Sequence, residues 1–285
     1  MDPGARLKEF IRGASRLPVV PEVTIRLLND VDSPDCSAND LAEIIEADPS
    51  LSVRLLKLAN SSFYGQRGHI STVRHAVVVL GSKTIRSLAL AVWTHTLRNQ
   101  ARDAEELKLM EPIHAHGLTT GVAAGMLAER ISRSLADDAF MAGLLHDIGR
   151  VALFSQLGRS YQSDILDDAE REGFLAHERE QEVLGFDHRD LGSALMASWG
   201  LPPFLADVAE KHHDTGIVPR DQFFVAAVAL ADILSTRMKI NVALGTPRPQ
   251  RDDLAAFFGL QGGANENEFL ERCVSRVNTL REALE

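Results

Sequence analysis

The chain has 285 residues, 45% hydrophobic and 25% charged, which is ordinary globular composition and excludes collagen-like, low-complexity and disordered classes. A net charge of −10 speaks against general nucleic-acid affinity, which needs a basic footprint. The two cysteines, Cys36 and Cys273, carry no metal or redox motif, the apolar runs are too short to span a bilayer, and no signal-peptide core opens the chain, so a cytoplasmic location is expected.

The predicted elements are helices almost throughout, with no alternating strand pattern longer than a few residues. Ile25, Leu27, Leu28 and Val31 begin the first amphipathic stretch, after Pro18 and Pro21. Ser37 to Asp40 starts a second helix, through Leu41, Ile44 and Ile45. Asp48-Pro49 is a start signal: Asp caps free amides, and Pro fits the first turn, where its missing N–H costs nothing. Leu51, Leu55, Leu56 and Leu58 follow with helical spacing, and Asn60-Ser61-Ser62 and Tyr64-Gly65 end that helix. Residues 73–80 are apolar and β-branched, so a strand competes there. Helix is preferred because Gly81-Ser82 then opens another helix over 83–97. The polar segment 98–106 is the expected boundary between lobes. Further helices are predicted over 114–131, 138–154, 160–172, 176–184, 189–198, 203–212, 223–239 and 266–284, with a loop over 245–253. The expected organisation is an N-terminal helical lobe over 1–100, a helical bundle over 101–240, and a C-terminal loop and helix over 241–285.

Charge is uneven. Residues 1–110 balance at +1, with 14 Lys+Arg against 13 Asp+Glu, and the remainder at −11, with 16 against 27. No acid lies between Asp48 and Asp103, an interval holding Arg54, Lys57, Arg67, Arg74, Lys83, Arg86, Arg98 and Arg102. This is either a set of solvated helix faces or a surface for an anionic partner.

The histidines are the informative residues. Gly143-Leu-Leu-His146-Asp147-Ile-Gly149-Arg150 places an imidazole beside a carboxylate at the end of an apolar helix. Such a pair suits a first-row divalent metal, and the carboxylate can bridge two ions. One pair means little alone. Here it comes with His116, with His188 in Asp187-His188-Arg-Asp-Leu-Gly192, with the doublet His212-His213, and with Asp232. Packing and capping remain an alternative for His146-Asp147, and a surface carboxylate for Asp232.

This order of His, His-Asp, His, His-His and Asp resembles the HD superfamily of metal-dependent phosphohydrolases, which are all-helical. By that resemblance His116, His146, Asp147 and Asp232 are the core metal ligands. His188, His212 and His213 complete a second position like that of the HD-GYP phosphodiesterases. Arg150 stands where the superfamily often has a phosphate-contacting Lys. The segment after His213, Asp214-Thr-Gly-Ile-Val-Pro219, lacks Gly-Tyr-Pro, so cyclic-di-GMP hydrolysis is not expected. Leu17-Pro-x-x-Pro21, Asp48-Pro49-Ser-Leu51, Arg54-Leu55-Leu56, Leu58-Ala-Asn60-Ser61, Tyr64-Gly65, Ala76-x-x-x-Leu80-Gly81 and Trp199-Gly-Leu-Pro202 resemble the HDOD domain, the HD-related output domain of bacterial signalling. The resemblance covers about residues 15–235. It implies an all-α regulatory module, mostly of a kind without catalysis and often fused to other signalling domains, whose partner is a signalling protein or a nucleotide second messenger; this chain has no room for a receiver domain, so a stand-alone protein is expected. It also implies one or two divalent ions, for which imidazole and carboxylate ligands suit Fe, Mn, Zn or Ni. A metal-dependent phosphohydrolase acting on a nucleotide or phosphodiester is the alternative.

Overall fold

The structure is a computed structural model and describes residues 3–30, 36–64, 69–172, 174–238 and 251–285. Val31, Gly65, Arg67, Lys239 and positions 245–250 of the expected loop lie outside them. Among the described residues there are helices and turns and no strand, so the protein is all-α.

The N-terminal part comprises α1 (Pro3–Gly13), α2 (Glu22–Asp30), α3 (Ala38–Glu46), α4 (Pro49–Ala59), α5 (Val73–Leu80) and α6 (Ser82–Thr96). Local signals explain its boundaries. Ser37 and Asp40 form a reciprocal capping box at α3, and Asp48 accepts the Ser50 and Leu51 amides at α4. The β-branched run 73–80 is helical because Thr72 accepts the His75 amide and Val73, Ala76 and Val77 bury one helical face.

The central helix α7 (Ala104–Glu129) starts ten residues before the predicted position. Asp103 caps it by accepting the Glu105 and Glu106 amides. The helix runs through Pro112, whose neighbours Met110 and Ile113 are buried. The predicted single helix over 138–154 is two, α8 (Ala136–Leu145) and α9 (Ile148–Leu157). They break at His146-Asp147, where Asp147 leaves helical geometry at φ −102°, ψ 21°.

After α9 come α10 (Arg159–Tyr161), a π-helical stretch Gln162–Leu166, α11 (Asp167–Glu172), α12 (Ala176–Leu184), α13 (His188–Ser198), α14 (Pro203–Lys211) and α15 (Phe223–Ser235). The last two are α16 (Asp252–Phe257) and α17 (Gly263–Leu284). Asp252 and Asp253, expected in a loop, instead form the acidic first turn of α16, where they favour the amide end of the helix.

Helix α7 packs against α8, α15 and α17, and α13 against α9 and α14. Helix α6 lies on α8, and α17 touches both α4 and α7, so one hydrophobic core runs from Val20 to Leu284. Four of the eight cations named in the acid-free interval pair with acids that follow it in the chain. Arg86 is buried and binds Asp138 at 2.5 Å, and Lys83 binds the same carboxylate at 3.1 Å. Arg98 pairs with Glu111 at 2.9 Å, and Arg102 pairs with Glu106.

Candidate metal centre

The seven residues expected as ligands meet at one place, brought there by five parts of the fold. His116 lies midway along α7, His146-Asp147 occupy the α8–α9 break, and His188 opens α13. His212 and His213 follow the last turn of α14, and Asp232 is on α15. Asp187 fixes the start of α13, accepting the Arg189 and Asp190 amides, and thereby sets His188.

Hydrogen bonds determine the tautomers of four of these imidazoles. His146 Nδ1 lies 2.7 Å from the Gly143 carbonyl, and His212 Nδ1 lies 2.9 Å from that of Ala209. A carbonyl can only accept, so both rings donate from Nδ1. His188 Nδ1 lies 2.6 Å from the buried carboxylate of Glu180, which also accepts the His188 amide. His116 Nδ1 is 3.1 Å from Ser235 Oγ. That hydroxyl spends its own proton on the Asp232 carbonyl at 2.7 Å, so it accepts from His116. In its neutral form each of the four rings therefore carries its lone pair on Nε2. Metal-ligating histidines are held in this way.

The Nε2 atoms converge. His116, His146 and Asp232 form one group whose ligand atoms all lie within 4.8 Å of one another, His188, His212 and His213 form another, and a third, His146, Asp147 and His212, overlaps both. Asp147 stands between them. Its Oδ2 is 3.7 Å from His116 Nε2 and 3.5 Å from His146 Nε2, and its Oδ1 is 3.2 Å from His188 Nε2 and 3.5 Å from His212 Nε2. Each oxygen faces one group, the disposition of a bridging carboxylate.

The donor set fits a divalent metal. Nε2 of His146 and Nε2 of His212 are buried without hydrogen-bond partners. Burying such atoms is costly unless something ligates them. Three buried carboxylates, Asp147, Asp232 and Glu180, face one buried guanidinium, Arg150, leaving an excess of negative charge for a cation. Burial holds His146 down to about 3 and lowers His212 as well, so both rings stay neutral and ligand-ready. Burial alone would raise Asp147, but the Arg150 guanidinium and the surrounding rings hold its carboxyl well below the usual range.

Arg150 joins the centre in a different posture from that of a phosphate ligand. It is 2% exposed, its Nε lies 2.9 Å from Asp147 Oδ2, and its Nη1 lies 3.9 Å from Glu180. In this arrangement it orients Asp147. Sequence reasoning missed Glu180, Tyr161 and Ser235. Glu180 accepts from Tyr161 Oη at 2.6 Å, and His188 and Arg150 lower its carboxyl despite complete burial. It sits among Glu178 and Glu182, and nothing in the local pattern sets it apart from those exposed neighbours. His177 on α12 is half-buried with its ring 5.0 Å from that of His213.

The HDOD domain profile matches residues 17–215. The chain belongs to the HDOD domain family. This HDOD chain is similar to an HDOD domain protein of unknown function from Geobacter sulfurreducens, at 26% identity and a TM-score of 0.79, covering 98% of this chain and 96% of that one. A protein of Shewanella amazonensis, provisionally named a metal-dependent phosphohydrolase, shares its fold at 21% identity and a TM-score of 0.68, covering 99% and 98%. An uncharacterised Treponema pallidum protein is 24% identical over 218 residues, 76% of this chain, and the HDOD chain spans only 42% of that relative's length. No helix among the described residues is long and apolar enough to cross a membrane.

Proposed function

We propose that this HDOD protein is a bacterial signalling module whose bundle holds one or two divalent transition-metal ions and conveys a signal to a partner. The observation that carries the metal reading is the convergence of Nε2 lone pairs whose Nδ1 protons are tied back to fixed acceptors. His116, His146 and Asp232 would hold one ion, His188, His212 and His213 the other, and Asp147 would bridge. Imidazole and carboxylate ligands select Fe, Mn, Zn or Ni over Ca or Mg. A signalling protein or a nucleotide second messenger is the proposed partner, and the cytoplasm its place of action.

The regulatory reading is supported by Arg150: it stands where the resembled superfamily often has a phosphate-contacting cation, and it is buried against Asp147 and Glu180. The alternative, a phosphohydrolase acting on a nucleotide or phosphodiester, is supported by the two-position ligand set, because a bound pair of ions supplies Lewis-acid stabilisation to both oxygens of a displacement. In that case Asp147 and the imidazoles would hold the centre in register, and Arg150 would keep Asp147 ionised.

Elemental analysis after metal-supplemented expression is expected to find one or two ions per chain, and His146→Ala or Asp147→Ala to lower occupancy non-additively, since both serve one centre. Folded protein that takes up no metal would refute the reading. A panel of nucleotides and cyclic-di-GMP with the metal-loaded protein separates the two functions. No turnover is expected, and turnover that disappears in Asp147→Ala would establish the hydrolase.

A further inference from the structure

The two metal positions differ in how their charge is supplied. The first includes a carboxylate, Asp232, whose Oδ1 lies 3.1 Å from His116 Nε2. Its imidazoles lean on neutral acceptors, the Gly143 carbonyl and the Ser235 hydroxyl. The second position consists of three imidazoles, His188, His212 and His213, faced by the Oδ1 side of Asp147 and, at the longer distance of 3.9 Å from His213 Nδ1, by Asp232 Oδ2. A divalent ion there would meet little formal negative charge directly. The compensation lies one bond further out. Glu180 is 0% exposed, and its Oε2 sits 2.6 Å from His188 Nδ1 and 2.7 Å from the His188 amide. Tyr161 Oη holds the other oxygen at 2.6 Å. A carboxylate accepting an imidazole N–H raises the electron density at the opposite nitrogen and fixes the ring, so it strengthens that nitrogen as a ligand.

We propose that Glu180 supplies, through His188, the negative charge of the second metal position, so that this one residue decides whether the centre holds two ions or one. The inference rests on the metal reading above. Glu180 is a positioning residue, reached through His188. Helix α12, which carries it, thereby becomes part of the centre although it contributes none of the ligands predicted from the sequence.

The test is titration of the metal-free, full-length chain with zinc, with elemental analysis of the protein after gel filtration. Wild type is expected to retain two ions. Glu180→Gln preserves size and an acceptor for His188 but removes the charge. It is expected to weaken the second ion about 10- to 100-fold and leave the first unchanged. Glu180→Asp keeps the charge at a longer reach, and an intermediate affinity is expected. The unchanged first ion is the internal control, because general loosening of the bundle would weaken both. If Glu180→Gln fails to fold, Glu180→Asp carries the test by the same selective loss. Wild type and variants that bind two ions equally would overturn the role of Glu180 while leaving the metal centre standing. A wild type that binds one ion would overturn the second position. A wild type that binds none would overturn the metal reading and this inference with it.

Discussion

Burial at single residues determines which side chains respond to pH. His114 lies two residues from His116 but belongs to a different environment, lining a small cavity of about 50 Å³ between α6, α7, α9 and α17. Its Nε2 is shut from solvent without a hydrogen-bond partner, and burial holds the ring down to about 3 from an ordinary 6.5. The unfolded chain therefore takes up a proton below 6.5 that the folded protein refuses until about 3. Stability contributed by the neutral ring is complete above 6.5 and falls as pH drops through that window. The slope is about 1.4 kcal/mol per pH unit for one such group. Thermal melts of metal-free protein between those limits are expected to show this acid limb, and His114→Leu to make it shallower. An identical limb in the variant would assign the loss to other groups.

The helices of the centre approach so closely that glycine sets the distance between them. At Gly143 an added Cβ would stand 2.7 Å from the Thr120 carbonyl oxygen and 2.8 Å from Gly121 Cα, so α7 and α8 touch backbone to backbone. At Gly149 the added Cβ would collide with the carbonyl of His188, where α9 meets α13. Backbone cannot swing aside as a flexible side chain can, so Gly149→Ala must push α13 outward and carry His188 with it. A loss of about 1–3 kcal/mol in folding stability is expected, as for overpacked cores. The second metal position should weaken more than the first. Urea denaturation and zinc titration read the two effects. Gly216→Ala is the control, because its added Cβ meets open space.

At the scale of the molecule, the N-terminal helices and the bundle are joined by buried charge as well as by apolar core. Arg86 on α6 reaches Asp138 in the first turn of α8, 52 residues away, and both groups are shielded from water. Helix α8 then runs from this pair to His146 at its other end. Removing one partner of a buried pair costs about 3–5 kcal/mol when the other charge is left alone, but Lys83 still holds Asp138 when Arg86 is removed, so a smaller loss is expected here. Arg86→Ala is expected to lower the unfolding free energy by about 1–3 kcal/mol, read from the urea midpoint and slope. Lys83→Ala, which removes a partner whose side chain is 44% exposed, is expected to cost less than about 1 kcal/mol. Equal effects would mean that Asp138 is more solvated than its position implies.

The sequence by itself determined the helical class and most helix starts, and it named the seven candidate ligands that the fold brings together, because those signals act over a few residues or resemble a known order. Ser37, Asp48 and Thr72 cap amides two or three positions on, and apolar spacing marks the buried face of each helix. Where such signals were incomplete, boundaries moved: α7 began at its Asp103 cap rather than at its apolar stretch, and the apolar run 138–154 hid the break that presents His146 and Asp147. Only the tertiary structure decided what each charge does. Lys83 and Arg86 read as surface cations, yet their partner Asp138 arrives from another helix. Arg150 read as a phosphate contact, but it turns to Asp147 and Glu180. Glu180 is flanked by Glu178 and Glu182 and shares their local pattern, but of the three it alone is buried. The Arg86–Asp138 ion pair and the His116–Ser235 hydrogen bond join residues far apart in the chain, and the energies of these and of the local pairs depend on burial, which local composition does not encode.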